Sequence, residues 1–457
     1  MTYQEYIDNK IKFTRESGFD IEIEELNPIL FDYQKDLIKW SLKLGKSALF
    51  TMTGTGKSYM EIEWSWQVYK KTKGNVIIIT PLAVSNQMIE MAKVIGIEIN
   101  NMRHNKIKSG LNIINYEQLS KIDASEFIGV VLDESSILKN FTGKIKNDII
   151  DMFKNTQYKL CGTATPSPND YIELGNHAEF LDVMKRSEML SMFFINDASD
   201  TGQWRMKGHA VDKFWQWVSS WAAILTKPSD LDYDDSKFIL PLLKTYEIII
   251  ETGIKLKENL FSVAAETLEE RREARRLTIS EKVKRLAEMI NNSDDIWLVW
   301  CDLNIESDLC KKNIKNSVEI KGSDSDEFKE KNILDFAHGN IKCLITKPSI
   351  AGHGINWQVC HNMAFVGLSD SFEAYFQAVR RCYRFGQKKE VNVYIMTSDI
   401  EGNVLQNIKD KEKRAMQMIS GMVEHTKNYV KNNIKEHNLN KTNYYANDNM
   451  VLPEWLC

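Results

Sequence analysis

No run in this 457-residue sequence approaches the roughly 18 consecutive apolar residues of a membrane-crossing helix, and no lipidation or secretory signal is present. A membrane protein is therefore not expected. The seven cysteines (Cys161, Cys301, Cys310, Cys343, Cys360, Cys382, Cys457) are scattered and never form Cys-x-x-Cys. That spacing argues against a structural zinc and for a reducing, cytoplasmic setting. Excess charge of one sign is missing too: a formal net charge of −4 gives no global basic field, so any nucleic-acid surface must be a local patch. No repeat of 20–50 residues is visible apart from a duplication of strand-helix series. What is present, 43% hydrophobic and 27% charged residues, describes an ordinary globular chain too long for one core.

The most informative stretch ends a hydrophobic strand: Ser47-Ala48-Leu49-Phe50-Thr51-Met52-Thr53-Gly54-Thr55-Gly56-Lys57-Ser58. Strand, glycine turn and helix start form a phosphate cradle. Backbone N–H groups and the helix N-terminus face the phosphates, Lys57 reaches the outer ones, and Ser58 ligates Mg²⁺. Thr51 stands where the usual first glycine of such a loop would be, and a glycine-rich turn with a chance lysine is the plain alternative. Upstream, an amphipathic helix carries Gln34 near its start, and an amide can read adenine because it both donates and accepts.

Five apolar strands alternate with helical stretches: 48–52, 76–80, 111–115, 129–133 and 159–162. Unbroken hydrophobicity predicts strands buried on both faces, a parallel sheet with helices on each side. Ligands of such sheets sit at the carboxyl ends of the strands, where the polar motifs fall. Asp133-Glu134 projects from one strand tip. In nucleotide hydrolysis Asp133 would hold Mg²⁺ and Glu134 would orient and deprotonate the attacking water. An acidic solvated turn is the plain alternative.

Residues 209–225 read as one helix with Phe214, Trp217, Val218, Trp221 and Leu225 on a single face, which suits packing better than base stacking. Trp204 and Trp215 lie off that stripe and are expected to be more exposed. Arg271, Arg272, Arg275 and Arg276 recur at helical spacing among glutamates, either as a solvated helix or as a basic edge for phosphates. A second strand series follows at 296–301, 318–321, 343–346, 363–366 and 391–396, without a phosphate loop. It offers a glycine-rich turn at 349–356 and a helix running from Gln377 to Gln387. Arg381 and Arg384 share one face of that helix and suit arginine fingers directed at a nucleotide held by the other domain.

The order of these motifs resembles helicase superfamily 2, and more narrowly the Swi/Snf-type DNA-dependent ATPases and their compact phage-encoded relatives, over residues from about 30 to 420. The elements are Tyr33-Gln34, Gly54 to Ser58, Thr80-Pro81, Tyr116, Asp133-Glu134, Gly162 to Pro166, Gly352 to Asn356 and Gln377 to Gln387. Ser135-Ser136 depart from the common Ala-His after the acidic pair, and Ala351 from a paired glycine.

The resemblance implies an α/β fold of two tandem RecA-like parallel-sheet domains with ATP and Mg²⁺ in the central cleft. The expected division is a peripheral segment 1–27, domain one at 28–180, a helical aromatic-rich connector at 181–245, domain two at 246–424, and a flexible Asn/Lys-rich tail at 425–457. By motif, Gln34, Thr53 to Ser58 and Gly354 bind the nucleotide, with Ser58 and Asp133 on the metal. Lys57, Asp133, Glu134, Arg381 and Arg384 carry catalysis. Thr80, Pro81, Tyr116, Thr163, Thr165, Asn356 and Gln377 contact nucleic acid or couple to it. The expected activity is an ATP-dependent motor on DNA, duplex or branched rather than RNA, in phage-type replication, recombination or repair. A monomer is favoured, with a phage or host replication or recombination protein as a further expected partner. The alternatives are a strand-separating helicase on branched DNA and a partner-dependent motor subunit of a nuclease or defence complex.

Overall fold

A computed structural model describes residues 16–103, 106–139, 143–167, 170–196, 204–251, 268–352, 355–368, 371–399 and 404–439. The first sheet contains β1 (Lys46–Thr51), β2 (Asn75–Thr80), β3 (Ile99–Asn101), β4 (Leu111–Asn115), β5 (Phe127–Asp133) and β6 (Tyr158–Gly162). A short antiparallel hairpin follows, β7 (Phe194–Asn196) with β8 (Trp204–Met206), and then β9 (Ala222–Leu225). The first sheet runs β3-β4-β2-β5-β6-β1-β9, parallel at every pairing. Successive residues feed opposite cores. Ala48, Phe50, Ile77 and Ile79 join one cluster, while Leu49, Val76 and Ile78 join the other. The continuous apolar runs are thus explained by burial on both faces.

The second sheet contains β10 (Leu243–Ile250), β11 (Trp297–Trp300), β12 (Ser317–Glu319), β13 (Cys343–Thr346), β14 (Asn362–Phe365) and β15 (Val391–Ser398), in the order β10-β15-β14-β11-β13-β12, again all parallel. Leu298, Trp300 and Leu344 pack on one face; Trp297, Val299 and Ile345 pack on the other. The chain is α/β with two RecA-like parallel sheets, as the motif order implies.

Seven helices matter for the site: α1 (Asp32–Leu44), α2 (Lys57–Thr72), α3 (Leu174–Phe180), α4 (Val211–Ser219), α5 (Asp326–Ala337), α6 (Phe372–Val379) and α7 (Val404–Leu439). Among the described residues no helix is long and apolar enough to cross a membrane.

Four expectations are corrected. Residues 209–225 are not one helix: α4 ends at Ser219, and Ala222–Leu225 forms β9, paired in register with Ala48–Thr51 of β1. Much of the stretch read as a connector therefore belongs to the first sheet. Its aromatic stripe is packing, since Phe214, Trp217 and Trp221 are all fully buried. Trp215 is buried as well, stacked flat on His425, whereas Trp204 is half-buried. Residues 425–439, read as tail, continue α7, which carries the chain from the second domain back onto the first. There Met422 and Val423 join one core cluster, and Val430 and Ile434 join the other. Lys431 pairs with Asp232 at 2.6 Å and Asn433 donates to the Ser219 carbonyl at 3.0 Å. Residues 1–15 and 440–457 lie outside the described residues.

Candidate nucleotide site

The turn between β1 and α2 is built on two glycines in the left-handed region, Gly54 at φ +95° and Gly56 at φ +80°. A side chain is strained in both conformations. Thr51 takes no left-handed backbone, so the missing loop glycine costs this turn nothing. A Cβ on Gly54 would lie 3.0 Å from the Phe385 backbone nitrogen, which places the arginine motif of the second domain directly against the loop.

Lys57 opens α2 and turns into the first domain. Its Nζ donates to Asp133 Oδ1 at 2.8 Å and lies 3.2 Å from Glu134 Oε1, and all three side chains are nearly buried. Burial works against the ammonium, but Asp133, Glu134 and Glu61 together hold its pKa above the ordinary lysine value. Thr80 Oγ1 donates to the other Asp133 oxygen at 2.9 Å, and the Tyr116 hydroxyl donates to the Asp133 carbonyl at 2.7 Å. Glu134 has φ +55°, an uncommon conformation for a non-glycine residue, which turns its carboxyl back over the strand tip. Thr163 Oγ1 donates to Glu134 Oε2 at 3.4 Å and also accepts from the Thr165 backbone N–H at 3.1 Å.

Residues 377–387 are not one helix as expected: α6 ends at Val379, and Arg381 and Arg384 come from the turn that follows it. Arg381 is almost fully buried: Nε donates to the Gln377 carbonyl at 2.8 Å, Nη2 to Gln377 Oε1 at 2.9 Å and Nη1 to the Ile355 carbonyl at 3.2 Å. Arg384 Nη1 donates to the same Ile355 carbonyl at 2.9 Å. Burial brings Arg381 down to about 10 and, with Arg381 beside it, Arg384 down to about 9, while Glu134 pulls both upward. Both guanidiniums stay charged at neutral pH. Charge from the second domain therefore acts on the acidic pair of the first.

Ion pairs and apolar contacts hold the cleft together. Arg103 pairs with Asp326 and Glu330 of α5, and Lys139 pairs with Glu373 of α6. The Asn356 backbone N–H is accepted by Gln87 Oε1 at 2.9 Å. Met52, Ala164 and Phe376 form a small core between the domains, sealed by Met416 and Ile419 of α7. Beside them a cavity of about 680 Å³ opens between the domains, lined in part by Pro81, Tyr116, Glu134, Lys139 and Ser349.

The expected nucleotide and catalytic residues thus converge, with Gln34 engaged differently from a free adenine reader. Its Nε2 donates to the Thr55 carbonyl at 2.8 Å, its Oε1 accepts from the Phe31 N–H, and the chain packs so closely that a Cβ on Gly56 would meet Nε2. Gln34 braces the loop. Of the residues expected to contact nucleic acid or couple to it, Thr80 is bound to Asp133 and Gln377 is buried on Arg381. Pro81 and Tyr116 do face the interdomain cavity. Gly354 lies outside the described residues, as do the side chains of Arg271, Arg272 and Arg275, while Arg276 is exposed.

Sequence reasoning missed Glu61, which is 0% exposed beneath Gly162. Burial, then Asp133, push its carboxyl well above the usual carboxylate range, with Lys57 opposing. Its only signal in the sequence is its place four residues after Lys57, on the same helical face.

A phosphate-type loop in one parallel-sheet domain is thus faced by buried arginines of the next. Residues 281–386 match the family described as helicase conserved C-terminal domain. The fold is similar to the fragment structure of a protein described as an HsdR subunit of a type I restriction enzyme from Vibrio vulnificus YJ016, at 12% identity and a TM-score of 0.52. That likeness covers 82% of this chain, and the chain spans 65% of that structure. A SWI2/SNF2 ATPase core from Sulfolobus solfataricus, solved in complex with dsDNA, also matches, at 16% identity and a TM-score of 0.42 over 91% of this chain and 99% of that one. No curated protein sequence matches.

Proposed function

We propose that this chain is an ATP-driven DNA motor that hydrolyses ATP at the cleft between its two domains and moves along duplex DNA in phage-type replication, recombination or repair. The observation that carries the reading is the convergence of Lys57, Asp133 and Glu134 of one domain with Arg381 and Arg384 of the other.

The residues fit ATP with Mg²⁺. Gly54 and Gly56 open the backbone of the loop towards phosphates, and Lys57 has only to exchange carboxylates for phosphate oxygens. Ser58 and Asp133 would hold Mg²⁺, which when bound neutralises charge building on the phosphate oxygens. Glu134, set by its left-handed backbone and by Thr163, orients the attacking water and takes its proton. Arg381 and Arg384 stabilise the charge of the phosphoryl group in flight. Because the arginines belong to the second domain, hydrolysis is tied to the closeness of the two sheets, and opening and closing of the cleft becomes stepping along a strand. Phosphate contacts make DNA binding sequence-tolerant and salt-dependent.

The test is the rate of ATP hydrolysis with single-stranded, duplex and branched DNA and with RNA, for wild type and Lys57→Ala. Duplex DNA is expected to stimulate wild type most, and Lys57→Ala to lose the activity while keeping its fold. A rate indifferent to nucleic acid, or full activity in purified Lys57→Ala, rejects the reading. A partner-dependent motor subunit is the second reading, favoured by the fold shared with an HsdR subunit of a restriction enzyme. Its mark is ATP hydrolysis that begins only when a co-purifying protein is present.

A further inference from the structure

Arg384 is held within its own domain more loosely than Arg381. Among the described residues the Arg381 guanidinium makes three hydrogen bonds, to Gln377 and Ile355, whereas that of Arg384 makes one, to the Ile355 carbonyl. A long side chain tied at one point needs a second constraint to meet a reacting group in a fixed place. The next residue along the chain, Phe385, has the contacts to supply it.

Arg384 to Gln387 form a four-residue turn. The Gln387 N–H closes it on the Arg384 carbonyl at 3.0 Å, and Gly386 bends it with φ +89°, a conformation that favours glycine. The turn is pinned from behind, because Gln387 Nε2 donates to the carbonyls of Gln358, Cys360 and Cys382 at 2.9–3.2 Å. Phe385 stands outside the cores of its own domain, and its ring contacts among the described residues are with the first domain. The Phe238 ring lies 4.9 Å away between centroids, and the Phe31 ring 6.2 Å away, edge-on. Those two rings meet at 5.1 Å and pack on the first domain's core. Tyr33, 5.7 Å from Phe238 and 6.1 Å from Phe31, donates its hydroxyl to the Thr55 carbonyl of the phosphate loop at 2.5 Å. The aromatic notch is thus joined to the loop, and the ring that meets it is joined to the arginine turn.

Attraction between the arginines and the acidic pair draws the domains together, but it falls off slowly with distance and sets no angle. Ring contacts act over a short range and at preferred angles. Resting on the reading of the site as an ATP hydrolase, we propose that Phe385 is a positioning residue whose ring seats against Phe31 and Phe238 and so fixes where Arg384 meets the transferring phosphoryl group. The charge that stabilises that group is the arginine's, and Phe385 acts only through it.

The test is single-turnover ATP hydrolysis on duplex DNA by the full chain, with ATP affinity measured alongside. Phe385→Ala is expected to hydrolyse ATP roughly 100-fold more slowly, the scale of a misplacement of about 1 Å, at an affinity close to that of wild type. Phe385→Tyr keeps the ring and is expected to keep the rate. Phe238→Ala, made on the opposite domain, should reproduce the slow rate, and the chain carrying both alanines should be no slower than either alone. In an Arg384→Ala chain, Phe385→Ala should add no further loss, because the residue through which it acts is gone. A merely structural role would add its loss in both backgrounds.

Wild-type turnover in Phe385→Ala overturns the inference, as does a further large loss in the Arg384→Ala chain. Weakened ATP binding with unchanged turnover also overturns it, being the mark of a ring that stacks on the nucleobase instead. Should the alanine variant fail to fold, Phe385→Leu, which removes the ring but not the bulk, carries the same comparison. If Lys57→Ala retains full ATP hydrolysis, the motor reading falls and this inference with it. If Lys57→Ala is inactive while Phe385→Ala matches wild type, this inference falls alone.

Discussion

His177 sits on α3, fully buried against the edge of Phe50 and near the Ser135 carbonyl that follows the acidic pair. Burial pushes its imidazole down from 6.5 to about 4, although the carbonyls of Glu173 and Ser135 resist. In the unfolded chain the ring binds a proton near its ordinary value. The folded protein therefore binds fewer protons between those two values, and its stability falls as pH drops through that window. The contribution is fully present above 6.5. Between pH 7.5 and 5 the loss from this one group is about 2 kcal/mol, growing to about 3 kcal/mol below pH 4. That is a sizeable share of a typical folding free energy.

The perturbation is His177→Leu, which removes the titrating ring and its buried nitrogens while keeping an apolar side chain in the core. Urea melts of both proteins at pH 7.5 and pH 5 give four stabilities, and the double difference cancels every group the two share. The expected double difference is about 2 kcal/mol, wild type losing more. Equal losses in the two proteins refute the reasoning, because they mean that the ring is protonated in the fold or exposed.

Gly54→Ala forces a side chain into φ +95° and against the Phe385 backbone, so it should cost about 2 kcal/mol in a urea melt and remove ATP turnover; a variant with wild-type activity contradicts the contact drawn between loop and arginine motif. Arg103→Ala strips Asp326 and Glu330 of their partner in the first domain, leaving Asp326 only with Lys329 of its own helix. Small-angle scattering should then show a more open molecule, with about 1 to 2 kcal/mol lost in stability, and an unchanged envelope and melt would mean that the pairs do not hold the domains.

How much of this was legible beforehand follows from where each residue's partners lie. Ile77, Ile78 and Ile79 are buried on alternating faces of one sheet, so their run declared a parallel strand without help from the rest of the chain. The same held for the glycine turn, whose chemistry is local to six residues. Ala222–Leu225 was misread because the spacing of Phe214, Trp217 and Trp221 continues smoothly into it. Only its pairing with β1, some 170 residues earlier, makes it a strand. Residues 425–439 look like tail because they are rich in Asn and Lys. A sparse stripe of Met422, Val423, Val430 and Ile434 is enough to lay α7 across both cores.

Within the site, type and order single out Lys57, Asp133 and Glu134 as candidates; helical spacing singles out Arg381 and Arg384, although both lie in the turn after α6. The motif of Thr80 suggests nucleic-acid contact or coupling, and the bond of its hydroxyl to Asp133 is one that only the neighbouring positions of β2 and β5 reveal. Glu61 was passed over because its meaning depends on Gly162, a residue remote in sequence that has no side chain of its own to advertise it. Gln34 was legible as part of the loop but not as its brace, since one amide can serve either role.

The central claim is that one nucleotide site is assembled from two domains. Single-turnover ATP hydrolysis on duplex DNA by Arg384→Ala, with ATP binding measured alongside, tests it most directly. The account predicts ATP affinity within a few-fold of wild type and a hydrolysis rate lower by roughly a thousandfold, the scale of a lost arginine finger. A hydrolysis rate equal to that of wild type would contradict it.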